Sequence, residues 1–120
     1  MSISRRRTER IATNLTIRWH RAGGGVDAVA ADINEQGMFV KTELDVQPDE
    51  MLHLSVTLPD GPLSMIVVAR YVGQTRSGRG VGAEIFLMGD AERQRWTKHY
   101  WTLIRSRESH AEISYSESAA

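Results

Sequence analysis

Met51-Leu52-His53-Leu54-Ser55-Val56-Thr57-Leu58, followed by Pro59-Asp60-Gly61-Pro62, is the stretch that decides the fold. Leu52, Leu54, Val56 and Leu58 alternate with His53, Ser55 and Thr57. Strict period two buries one face and leaves the other polar, the pattern of a half-buried strand. The Pro-Asp-Gly cluster then supplies a tight turn: Pro presets φ, Asp bonds its own backbone and Gly tolerates positive φ. Leu63 to Val72 reads as the returning strand. It is apolar on both faces around Ile66, Val67 and Val68, as a strand covered on both sides would be.

Working outward, the same period recurs. Asn14 to Trp19 reads as a strand with Leu15, Ile17 and Trp19 on one face, and Gly23-Gly24-Gly25 marks a turn after it. Val26 to Ala31 and Met38 to Thr42 are the next two strands, the second entered through a polar turn. Pro48-Asp49-Glu50 punctuates a loop, Gly73 to Gly80 reads as a turn region, and Val81 to Leu87 returns as a strand. Then the period changes. Asp90 is a candidate N-cap for a helix over Ala91 to Arg107. Trp96, Tyr100, Leu103 and Arg107 follow its i, i+4, i+7, i+11 stripe, widened by Trp101 and Ile104. Six short strands and one amphipathic helix predict an all-β fold: a six-stranded antiparallel barrel whose C-terminal helix covers one opening or side. Residues 1–10 read as an Arg-rich arm, 11–108 as barrel plus helix, and 109–120 as a disordered tail; there is no internal repeat or second domain.

A chain of 120 residues fits one domain with its own core. It has no cysteine, which removes disulfides, thiol nucleophiles and thiolate metal sites. No apolar run approaches the roughly 18 residues of a membrane helix, and no apolar segment follows the basic N-terminus. A cytoplasmic location is the expectation. With 15 basic and 15 acidic residues the net charge is zero, which argues against general nucleic-acid binding. The charge is unevenly placed, however. Arg5-Arg6-Arg7-Thr8-Glu9-Arg10 packs four of the thirteen arginines into six residues. Guanidinium is planar and forked, so it suits phosphates and flat rings better than Lys does. The second polar site is Asp32-Ile33-Asn34-Glu35-Gln36-Gly37, which opens the strand Met38-Phe39-Val40. Each has a plainer reading: a solvated basic arm, an Asx turn before a strand, and Gly37 serving only a positive φ.

Arg6-x-x-x-Arg10, Asp32-x-Asn34-x-x-Gly37 and Gly80-Val81-Gly82-Ala83-Glu84-Ile85-Phe86 together resemble the motifs of the PilZ domain family. The likeness runs from about Ser4 to Arg107. It implies a single-domain bacterial adaptor that binds cyclic di-guanosine monophosphate (cyclic di-GMP), a second messenger, and passes the signal to a protein partner, for instance in motility. On that resemblance Arg6 and Arg10 hold phosphates and guanine, with Arg5 and Arg7 as further contacts. Asp32 and Asn34 meet guanine and position the turn, and Gly37 supplies backbone geometry. One position departs: Asn34 stands where the family motif has Ser. The alternative is therefore a degenerate interaction module that does not bind the dinucleotide. Chemically, Arg forms paired hydrogen bonds to phosphate or to guanine O6 and N7, and Asp32 can accept from the guanine N1–H and N2–H edge. The arm, polar apart from Ile3, is expected to order on binding.

Other features point to no further chemistry. Gly23 to Gly25 lacks the Lys-Ser/Thr of a phosphate loop. His20, His53, His99 and His110 have no metal-ligand spacing, so no metal and no cofactor is expected. No nucleophile motif or acid pair suggests an enzyme. Trp96, Tyr100 and Trp101 read as core, with a homodimer contact through the helix as the alternative. A single-strand nucleic-acid surface would need exposed aromatics among basic residues; only Trp19 with Arg18, and Tyr71 with Arg70, come near.

Overall fold

The structure, a computed structural model, describes the backbone of residues 9–76 and 78–119 and the side chains of 9–76 and 78–108. Six strands are followed by one helix: β1 Ile11–Arg21, β2 Gly24–Asn34, β3 Gly37–Lys41, β4 Met51–Leu58, β5 Gly61–Thr75, β6 Gly78–Leu87 and α1 Asp90–Ala119. The strands close into a barrel in the order β1-β2-β3-β6-β5-β4. Every neighbouring pair is antiparallel, and β1 meets β4 from Ile17↔Val56 to His20↔His53 to seal it. Closure leaves the sheet without a free edge.

The alternation in β4 is realised as predicted. Leu52, Leu54, Val56 and Leu58 are buried, whereas Met51, His53 and Thr57 are exposed. Leu58 pairs with Gly61 across Pro59-Asp60, and Gly61 takes φ 126, where a side chain would be strained. Ile17, Trp19, Ile33, Met38, Val40 and Val67 fill the interior with no exposed surface.

Several boundaries differ from the sequence reading. β5 and β6 run on through most of the 73–80 region, and the turn narrows to the step between Thr75 and Gly78. Asp32 and Asn34 belong to the end of β2, not to a turn; the turn itself is Glu35-Gln36. The helix takes its first bond on the Gly89 carbonyl, from Arg93 N at 2.8 Å, so Gly89 is the N-cap and Asp90 the first helical residue. Asp90 and Glu92 still favour the positive end of the helix dipole. Helical backbone continues through 109–119, the segment read as a tail. No Gly or Pro interrupts that segment, so nothing in it stops a helix locally.

Helix α1 lies across the barrel end where the β2–β3 turn, the β4–β5 turn and the start of β1 meet. Trp96, Tyr100 and Ile104 are fully buried there, with Trp101 and Leu103 packed against the same core. Arg95 grips the β4–β5 turn: Nε and Nη2 donate to Asp60 at 3.2 and 2.9 Å, and Nη2 and Nη1 to the Gly61 and Pro62 carbonyls. The aromatic stripe thus faces its own barrel: Trp96 and Tyr100 are core, as read from the sequence, and offer no surface to the dimer contact given as the alternative.

Candidate functional site

The spacing of Asp32, Asn34 and Gly37 becomes geometry at the β2–β3 hairpin. Residues two apart on a strand share a face, so Asp32 and Asn34 project together. Asn34 pairs with Gly37 across the two-residue turn. The Asn34 side chain closes that turn: its Oδ1 accepts the Gln36 N–H at 2.8 Å, an Asx-type bond. Gly37 is not at positive φ, which corrects the conformational reason expected for it. Its β3 backbone runs against β6, and a Cβ there would collide with the Ala83 carbonyl oxygen. The glycine is required by close approach.

The hairpin is bolted to α1 from behind. Trp96 Nε1 donates to the Asn34 carbonyl at 3.1 Å, Arg93 Nη1 to the Glu35 carbonyl at 3.3 Å, and Trp101 Nε1 to the Glu35 carboxylate. Glu9, just before β1, is held by the same helix. Tyr100 Oη donates to the Glu9 carbonyl at 2.7 Å, and Arg107 Nη2 to Glu9 Oε1 at 2.7 Å.

Arg10 stands one residue before β1, and Ala12 pairs with Asp32. Its guanidinium reaches across to Asp32, with Nη1 to Oδ1 at 2.6 Å and side-chain exposures of 45% and 23%. The pair is accessible, so solvent screens it and a stronger anion can compete. Arg10, Asn34 and Gly37 line one cleft of about 150 Å³, joined by Gln36, Arg70, Tyr71 and Glu84. Arg5, Arg6 and Arg7 lie outside the described residues.

Residues 70, 71 and 84 were absent from the sequence-based site. Ala69 pairs with Ala83 and Tyr71 with Gly82, so two steps of β5 face one of β6 and Arg70 is the extra residue of a bulge. Bulges re-aim side chains and cluster beside functional sites. Arg70 is held by Glu84 at 3.0 Å and Asp49 at 3.5 Å; the Glu84 bond is the main reason its pKa moves up, so it remains a cation. The signals in the sequence were the adjacent basic and aromatic residues Arg70-Tyr71 in an otherwise apolar strand and the motif over residues 80–86 that contains Glu84. Among the described residues no group of three or more His, Asp or Glu could hold a metal ion.

The family model of the PilZ domain matches residues 4–100. The chain belongs to the PilZ family. No curated protein matches the sequence. Among solved structures, this PilZ domain is similar to the Bacillus subtilis inhibitor of motility MotI/DgrA, with TM-score 0.70 and 18% identity over 83% of this chain and 50% of that one. It thus spans about half the length of MotI/DgrA. It is also similar to the PilZ domain of Escherichia coli YcgR with c-di-GMP, with TM-score 0.67 and 12% identity over 91% of this chain and 98% of that one. At these identities the likeness establishes the barrel-and-helix fold. No described helix of this PilZ domain is long and apolar enough to cross a membrane.

Proposed function

We propose that this PilZ domain is a bacterial adaptor, not an enzyme, that binds cyclic di-GMP between its N-terminal arm and the β2–β3 hairpin and passes the signal to a protein partner. The observation that carries the reading is the meeting of the two motifs: Arg10 bonds Asp32 and lines the same cleft as Asn34 and Gly37. The YcgR structure, which contains c-di-GMP, supports the ligand class. The likeness to MotI/DgrA, an inhibitor of motility, supports motility as the process.

Binding works by exchange of partners. An exposed ion pair such as Arg10–Asp32 is worth about 0–1 kcal/mol. A phosphate that offers Arg10 paired, charge-assisted bonds outbids it. Asp32, once released, accepts from the donor-only N1–H and N2–H edge of guanine and disfavours adenine. The cleft of about 150 Å³ falls short of the roughly 300–1,000 Å³ of a typical small-molecule site. Arg6, with Arg5 and Arg7, completes the site from the arm. Since Glu9 is tied to Tyr100 and Arg107, an arm drawn onto ligand alters its seating on α1, and a partner reads the new surface.

A second reading, an interaction module without ligand, draws on Asn34. Its Oδ1 is engaged by Gln36, and it fills the place of the motif Ser. Calorimetric titration with cyclic di-GMP separates the two. The receptor reading expects binding by the native protein that Arg10→Ala abolishes. Silence in the native protein with binding gained by Asn34→Ser would mean that Asn34 shuts an intact site. Silence in all three proteins would establish the module.

A further inference from the structure

β5 is apolar on both faces around Ile66, Val67 and Val68, the composition of a strand covered on both sides. Its inner face meets the core. Its outer face has no such cover: across β4 and β6, Met51, Phe86 and Leu87 are 53%, 59% and 58% exposed. Phe86 and Leu87 are consecutive, and in regular alternation one of them would point inward. A bulge prevents this. Ile66 pairs with Leu87 and Val67 with Ile85, so Phe86 is the extra residue and both side chains stand outside. Met51 and His53 of β4 pair with Val68 and Ile66 of β5, which carries the same surface across three strands. Beside Leu87 is a groove of about 260 Å³, lined by His53, Ser64, Met65, Ile66, Leu87 and Met88 together with Gly89.

We propose that this outer face of β4, β5 and β6 is the docking surface for the protein partner, and that its occupant is the apolar face of an amphipathic helix. This rests on the chain acting through a protein partner, which both readings above share. At roughly 200 Å² per large side chain, Met51, Phe86 and Leu87 leave roughly 300 Å² of apolar surface bare. Patches of roughly 300–600 Å² on a monomer are often functional. The area is well short of the ~800 Å² a side of a stable interface. A second copy of the chain is therefore not the occupant; a short element with a few anchors is. A strand cannot be that element, because the closed barrel has no edge to pair with. A helix can, since its i, i+3, i+4 and i+7 side chains form one stripe and a large anchor enters the groove. Charge points the same way. On one border Arg70 is tied to Glu84 at 3.0 Å and to Asp49 at 3.5 Å. On the other, His20 Nε2 meets Ser55 Oγ at 2.7 Å, and the His20 and His53 rings lie 4.5 Å apart. An apolar centre with an engaged polar rim is the anatomy of an interface, and it suits a stripe flanked by uncharged residues. Glu84 lines the ligand cleft and Phe86 follows two residues later, so a docked helix sits at the edge of that cleft.

The test is a displayed library of helical peptides of about 15 residues, randomised at i, i+3, i+4 and i+7 and selected on the full native chain. Recovered peptides are titrated by fluorescence anisotropy into the native chain and into Phe86→Ser and Leu87→Ser. Both side chains are largely exposed, so these variants should keep the native melting temperature. The expected result is a stripe of Leu, Ile, Met or Phe that binds the native chain and weakens about ten-fold or more in each variant. Its affinity should change less than about two-fold on raising the salt. No recovered peptide, peptides without an apolar stripe, or a stripe that binds both variants as well as the native chain overturns the proposal. So does sedimentation that shows a native dimer dissociated by Phe86→Ser, because a second copy then fills the patch. Calorimetry with cyclic di-GMP on the same proteins separates the two questions. Absent messenger binding overturns the receptor reading and leaves a positive docking result standing. A failed selection with messenger binding intact overturns the docking surface alone.

Discussion

At Gly37 the β3 backbone passes so near β6 that only a hydrogen fits in front of the Ala83 carbonyl. Gly37→Ala forces the two strands apart where β3 begins. Overpacking of this kind costs about 1–3 kcal/mol, and urea unfolding should register it as a lower midpoint with an unchanged slope. Because φ is ordinary there, Gly37→Asn, a residue that tolerates positive φ, should be no milder than Gly37→Ala. A conformational role would predict the opposite order. Asn34 makes a complementary case. Its Oδ1 accepts the Gln36 N–H, so Asn34→Ala leaves that turn amide to water and is expected to cost about 0.5–1.5 kcal/mol. Asn34→Ser retains a shorter acceptor and should fall between the two proteins in the same melt.

The strands were legible because period two is written into single residues: Leu52, Leu54, Val56 and Leu58 need no partner to declare their face. The helix stripe of Trp96, Tyr100 and Ile104 was legible in the same way. Arg10, Asn34 and Gly37 of the cleft were named from the sequence through the resemblance to the PilZ motifs, although the stretch from Asp32 was read as a turn and in fact ends β2. Arg70, Tyr71 and Glu84 were not legible as site residues. Their position depends on a slip in register between β5 and β6, and register belongs to a pair of strands, not to either sequence alone. The N-cap was misread by one residue because Gly89 caps through its carbonyl, which any residue possesses. At this scale the seam between α1 and the hairpin can be tested. Trp101→Phe removes the indole N–H that serves the Glu35 carboxylate, which is only 9% exposed. Loss of a donor to a buried, charged acceptor costs about 1–3 kcal/mol, readable as reduced urea stability with the ring packing retained.

Across the whole molecule, acid sensitivity should concentrate where α1 meets the β4–β5 turn. Burial lowers the His99 pKa below its ordinary 6.5, with the Asp60 charge acting partly against it. Its Nε2 is buried without a hydrogen-bond partner. A base whose folded pKa is depressed binds its proton more readily when unfolded, so its contribution is complete above pH 6.5 and fades as the pH falls below that. The melting temperature should therefore drop as the pH falls below 6.5, and the drop should shrink in His99→Phe. The hydrogen bond from Arg95 lowers the Asp60 pKa from 3.8. Its contribution is present above that value and is lost at still lower pH, so the two groups act in separate windows.

Three of the bonds that fasten α1 to the binding end have a common character: Trp96, Arg93 and Tyr100 all donate to main-chain carbonyls, those of Asn34, Glu35 and Glu9. Main-chain oxygens are the same whatever side chain follows them. Glu35 and Glu9 are also held through their carboxylates, by Trp101 and Arg107, but Asn34 is fastened to the helix through its main chain, so position 34 can be rewritten without re-engineering that mounting. On the proposed receptor reading, that makes the domain an interchangeable cartridge on which other ligand preferences can be written.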